Sequence, residues 1–172
     1  MPNEKTGEVT QDGHYLIIKG RKWRASDPGI PPKLRQELVD ELMAARRAVK
    51  SRQDDARARV NDAKIALGER GQPWWEKSEP TAFDERISAT IRALLRKRAN
   101  SSICPSEVAR VVCGDGDAWR ESMGEVRRVA AEMASRGELT ATQKGMAVEA
   151  ENARGPIRLS PVSSMREASS GQ

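Results

Sequence analysis

The chain is poor in the residues from which most active sites are built. Among its 172 residues are 4 Trp, 1 Tyr, 1 Phe, 2 Cys and 1 His. With His14 alone, a His-dependent catalytic centre or a zinc site lacks its components. Cys104 and Cys113 are separated by eight residues, a spacing that fits no common metal or redox motif, so both read as reduced structural thiols. No uncharged stretch approaches the roughly 20 apolar residues a membrane helix needs. Met1 to Gln11 lacks the apolar core of a signal peptide, so the expectation is a cytoplasmic protein with no membrane contact. Gly-rich phosphate cradles are absent as well, and no cofactor is expected.

What is present is charge and helical periodicity. Charged residues make up 32% and apolar ones 37%, with a mean hydropathy of −0.70, so each core is expected to be small. The 30 Lys+Arg against 25 Asp+Glu give +5, which permits an anionic partner without demanding one. The excess is spread along the chain, with 16 basic against 13 acidic residues before Pro80 and 14 against 12 from there on.

Residues 1–12 are polar and aperiodic and are expected to be a disordered leader. His14 to Lys19 is rich in β-formers, Gly20-Arg21 offers a turn, and Lys22 to Ser26 can return antiparallel as a hairpin. A turn cluster, Asp27 to Pro32, then opens a helix to about Val49, with Leu34, Leu38, Leu42, Met43, Ala45 and Val49 on its apolar stripe. Asp54 or Asp55 caps a second helix with Ala56, Val60, Ala63 and Leu67 inward, ending at Gly68. The adjacent Trp74 and Trp75 read as a plug closing this 13–76 unit. Residues 77–82 have the polar, Pro-containing composition of a linker.

The 83–159 segment starts with a helix whose Phe83, Ile87, Ile91, Leu94 and Leu95 share a face. Ser101-Ser102-Ile103 is a short extended connector, Pro105 opens a second helix to Val112, and Trp119 to about Arg136 forms a third. Leu139–Thr142 and Met146–Glu149 alternate like strands around Gln143-Lys144-Gly145, and Pro156–Leu159 is a further strand candidate. Helix, strand, helix, turn, helix, hairpin is the order of a winged helix-turn-helix. The fold class is therefore mainly α (α+β): an N-terminal β-hairpin with a helical hairpin, then a C-terminal winged helix-turn-helix. Serine-rich residues 160–172 are expected to be a disordered tail.

Ser102 to Ala109, then Trp119-Arg120, Met123, Val126-Arg127, Ala130, Gly137, Thr142 to Gly145 and Gly155 to Leu159 together resemble a bacterial family called domain of unknown function 3253. The resemblance covers about Asp84 to Leu159. It implies a small winged-helix domain and no particular activity. Gly13 to Trp75, through Gly20 to Arg24, Leu38 to Arg46 and Gly68 to Gly71, looks like a second small bacterial family without established function. Neither resemblance carries site residues with it.

The candidate sites rest on surface charge. On the third helix, Arg120 and Arg127 are seven residues apart, about two turns or 10 Å along one face, with Gly124 between them and Arg128 on the flank. Lys144 and Arg154 lie in the wing region, within reach of a phosphate backbone. Lys22 and Arg24 flank Trp23 on the first hairpin, Trp23 itself being expected to anchor that hairpin on the helices. Against a nucleic-acid reading stand Glu121, Glu125 and Glu132 on the same helix. Cys104 at a helix N-terminus has the setting of a reactive thiol but no base or resolving partner nearby, and Asp115-Gly116-Asp117 lacks the later ligands of a calcium loop. The expected function is non-enzymatic binding of nucleic acid, DNA before RNA. The alternative is a protein-interaction adaptor. Oligomeric state is not legible.

Overall fold

Two backbone turns organise the N-terminal strands in the computed structural model, which describes residues 7–162. Asp12 accepts the Thr10 hydroxyl and the His14 amide, closing the turn between β1 (Glu8–Val9) and β2 (Tyr15–Ile18). Lys19 and Gly20 both take positive φ, 49° and 74°, the type I′ geometry that matches strand twist and leads into β3 (Arg21–Arg24). The turn thus sits one residue earlier than the Gly20-Arg21 expected. β1 also corrects the expected leader: Glu8 and Val9 pair with Ile17 and Leu16, in a strand too short to show periodicity. Residues 1–6 of that expected leader lie outside the described ones.

No residue of this sheet is fully buried, so aromatic contacts hold it in place. The His14 ring stacks on Trp75 at 3.9 Å, and Trp74 meets both edge-on while its indole N–H donates to the Ala25 carbonyl at 3.0 Å. Gly68 makes room for this plug. At φ 79°, a Cβ there would stand 3.1 Å from Trp74 and 3.2 Å from Asp27. Gly68→Ala is expected to destabilise the protein by about 1–2 kcal/mol from the left-handed backbone alone, read as a lower melting temperature with the far-UV spectrum unchanged.

α1 (Pro32–Lys50) and α2 (Ala56–Ala66) form the expected helical pair, with Leu34, Leu38 and Leu42 in one buried cluster with Ala63 and Leu67, and Ala45 buried as well. Val49, expected on the stripe, is 36% exposed in the last turn of α1, although Ala45 and Ala48 before it are buried. α3 (Pro80–Arg98) takes Pro80 as its first residue, so the C-terminal half of the expected linker 77–82 is helical. One apolar cluster runs without a break from Leu38 and Leu67 through Ile87, Ile91 and Leu94 to Val108 and Leu159. The two halves therefore share a core. Ion pairs cross the same boundary: Arg86 reaches Asp27 at 2.9 Å and the Ala66 carbonyl, and Arg98 joins Glu37 of α1 to Glu107 beyond α3.

Past α3, Ile103 exchanges both backbone hydrogen bonds with Leu159. α4 (Pro105–Cys113) is opened by Glu107, whose carboxylate accepts the Cys104 amide. The expected single helix from Trp119 is instead α5 (Ala118–Glu121) and α6 (Met123–Ser135). Ser122 separates them; its buried hydroxyl donates to the Trp119 carbonyl, competing with the helical ladder. β4 (Leu139–Gln143) pairs with β5 (Met146–Ala147) on one side and β6 (Arg158–Pro161) on the other, all antiparallel. Ser160 and Pro161, placed in the expected tail, are thus paired with Thr140 and Leu139. The rest of that expectation, residues 163–172, falls outside the described chain. Among the described residues, no helix is long and apolar enough to cross a membrane.

Candidate nucleic-acid interface

The loop between β5 and β6 is fixed by two side chains that share its carbonyls between them. The loop bends at Gly155, which takes φ 85°, so its successive carbonyls are turned to different sides. Arg127 of α6 takes the odd ones, donating to the carbonyls of Ala153 and, at 2.6 Å, Gly155. Gln143, at the end of β4, takes the even ones, donating from Nε2 to Arg154 and, at 3.2 Å, Pro156. The Arg154 side chain is left exposed. Next in the chain after Gln143, Lys144 and Gly145 form a second type I′ turn, φ 50° and 79°, which puts the exposed Lys144 at the hairpin tip. Among the described residues neither Lys144 nor Arg154 has an ion-pair partner. Gln143 thus ties the turn that carries Lys144 to the loop that carries Arg154.

The helix candidates fare differently. Arg120 lies on α5 and Arg127 on α6, so the two-turn spacing along one helix is broken at Ser122. Arg127 is spent on the loop carbonyls. Arg128 is enclosed by carboxylates: Asp84 at 2.6 and 2.7 Å, Glu125 at 2.9 Å and Glu132 at 2.7 Å. These hydrogen bonds, Asp84's first, raise the guanidinium further above its ordinary value. Arg120 remains exposed, pairs with Asp117 at 2.8 Å and lies 4.7 Å from the Trp119 ring, which Arg110 approaches at 4.6 Å. Besides Arg120, the charged residues that α5 and α6 expose are Glu121, Glu125 and Glu132.

On the first sheet, register places Lys22 and Arg24 on one face with Tyr15 and Ile17. The Lys22 ammonium sits 4.1 Å from the Tyr15 ring and stays exposed. Arg24 is tied to the Gly71 carbonyl at 2.7 Å. Trp23 is 40% exposed, with Arg21 and Lys64 each 5.7 Å from its ring, so the anchoring expected of it falls to Trp74 and Trp75.

Sequence reasoning missed Gln143 as a clamp and Arg127 as its counterpart. A Gln next to a Lys-Gly turn and an Arg at a helical position facing a Gly-Pro loop were the available signals. A separate cleft of about 470 Å³ opens between α3, α6 and the second sheet, lined by Arg92, Arg96, Leu95, Met133 and Glu138. Its two arginines are neutralised by Asp62 and Glu138.

The second half is thus a helical unit closed by a small antiparallel sheet. Residues 84–161 match a family described as Protein of unknown function (DUF3253), so this half of the chain is similar to that family. No curated protein matches the chain.

Proposed function

We propose that the protein is a non-enzymatic nucleic-acid-binding module of winged-helix type, DNA being the favoured ligand, with Lys144 and Arg154 of the wing as its main contacts and Arg120 as a further candidate. The order of α3, Ile103, α4, α6, β4 and β6, with β6 pairing both Ile103 and β4, supports the winged-helix reading. The observation that carries the function is the double clamp by Arg127 and Gln143, which fixes the loop carrying the unpaired Arg154 next to the turn carrying the unpaired Lys144. Acidic α6 does not lie in a groove in this reading; the wing meets phosphates.

The test is binding of mixed-sequence duplex DNA and of single-stranded RNA at two salt concentrations. Lys144→Ala/Arg154→Ala is expected to weaken binding about tenfold at low salt and to flatten the log–log salt dependence by about 1.8, near 0.9 for each phosphate no longer neutralised. Arg127→Ala is expected to weaken binding too, by loosening the loop, and Arg127→Lys not to restore it, since an ammonium does not reproduce the two-pronged geometry. Salt-independent binding, or full binding by the Lys144→Ala/Arg154→Ala variant, rejects the wing.

The acidic outer face of α6 favours a second reading, a protein-interaction adaptor. A stoichiometric protein partner that survives nuclease treatment, without nucleic-acid binding at low salt, supports it.

A further inference from the structure

The helical hairpin carries its charge in an unusual place. Arg46, Arg47, Lys50, Arg52 and Arg57 surround the tip where α1 passes into α2, and none of their side chains makes a hydrogen bond or ion pair among the described residues. All but the half-buried Arg46 are exposed. Asp54 and Asp55 share the tip, so residues 46–57 hold a net +3 out of +5 for the whole chain.

Local stability explains only part of this. Arg47 and Lys50 in the last turn of α1 complement its dipole. Arg57 stands in the first turn of α2, where a cation opposes the dipole. Arg52 takes φ 56°, a conformation in which glycine avoids the steric penalty, and its side chain touches no partner. Two of the five cations are thus held against local preference, with no hydrogen bond or ion pair of their side chains in return.

We infer that the tip of the α1–α2 hairpin is a second contact surface for the phosphate backbone of duplex nucleic acid. The chemistry selects the occupant. Arg46 and Lys50, four residues apart, advance about 6 Å along α1, comparable to the axial rise over two phosphates of one strand at about 3.4 Å each. A membrane surface needs an apolar face beside the cations, and the apolar stripe of α1 is buried or half-buried in the core apart from the single Val49 at the tip. A protein partner needs an apolar centre to the interface, which the tip also lacks. The inference shares its ligand class with the wing reading but none of its residues.

The experiment titrates a short fluorescent mixed-sequence DNA duplex with the full chain and three variants at low and physiological salt. The tip variant carries Gln at Arg46, Arg47, Lys50, Arg52 and Arg57. The wing variant is Lys144→Ala/Arg154→Ala, and Lys33→Gln/Arg35→Gln/Lys77→Gln removes exposed cations elsewhere. Thermal melts show that each is folded. The tip variant is expected to lose at least tenfold in affinity and to flatten the salt dependence by roughly 0.9 for each phosphate contact removed, while the third variant changes little. Unchanged binding by the tip variant overturns the inference, as does an equal loss in the third variant, which makes net charge the cause. Duplex binding abolished in the wing variant but kept in the tip variant rejects the tip and leaves the wing. The reverse rejects the wing and leaves the tip. Phosphatidylserine vesicles bound in place of duplex overturn it in favour of lipid, and no duplex binding by the unmodified chain rejects both surfaces.

Discussion

Arg98→Ala is expected to destabilise the protein by on the order of 3–5 kcal/mol, about 10 °C in melting temperature at roughly 2–4 °C per kcal/mol for a chain of this size. An isolated surface ion pair contributes far less, near 0–1 kcal/mol. Here one guanidinium serves two carboxylates in fork geometry, Glu37 at 2.9 and 2.9 Å and Glu107 at 2.8 and 2.8 Å, with side chains only 16%, 17% and 27% exposed. Deleting it leaves two like charges facing each other between α1 and α4. Arg98→Lys should recover part of the loss, because an ammonium cannot fork to both.

The pH dependence supplies an internal check. Burial pushes the Glu107 carboxyl up, but the Arg98 hydrogen bonds and the Cys104 amide outweigh it and hold the group below its ordinary 4.5. A carboxyl lowered on folding stabilises fully above the ordinary value and loses that contribution as pH falls through the lowered one. The gap in melting temperature between the unmodified protein and Arg98→Ala should therefore be widest near neutrality and narrow below about pH 4.5. A gap independent of pH would show that Arg98 acts by packing alone.

The contrast between Arg98 and its neighbours shows what a sequence discloses. The stripes Leu34-Leu38-Leu42 and Ile87-Ile91-Leu94 were legible because a helix repeats locally, and those side chains are buried as the spacing demands. The partner of a charge does not repeat. Arg128 finds Asp84 forty-four residues away and Arg127 finds a carbonyl twenty-six residues away, so both looked available on the helix that carries them. The helix break at Ser122 was hidden for a related reason, a hydroxyl choosing a backbone carbonyl over solvent. The exposed place of Lys144 at a hairpin tip was readable because Lys-Gly turn chemistry is local, whereas the link from Gln143 to the Arg154 loop was not. The hairpin-tip cations gave no signal of their own, since nothing in a one-dimensional charge string says which residues stay unpaired.

The same distinction gives the other large expected effect, at two cations on neighbouring positions of α2. Arg57 and Arg59 stand two residues apart, hence on different faces. Arg59 turns inward to Glu41, which is 2% exposed, and donates to both carboxylate oxygens at 2.9 and 3.1 Å. Hydrogen bonding to Glu41, ahead of desolvation, raises the Arg59 guanidinium above its ordinary value. Arg59→Ala strands a buried carboxylate and is expected to lower stability by about 3–5 kcal/mol, whereas Arg57→Ala should stay within about 0.5 kcal/mol. The double replacement Glu41→Leu/Arg59→Met removes the charge along with its partner and is expected to recover most of the loss. Urea unfolding of the four chains closes the comparison. If the double variant is no more stable than Arg59→Ala, packing by the Arg59 stem rather than charge compensation holds α1 against α2. If it recovers, the pair acts as a unit. Arg59→Ala would then also perturb the hairpin that carries the tip cations, so the Arg57-containing tip variant, which leaves Glu41 paired, is the one that reports on binding alone.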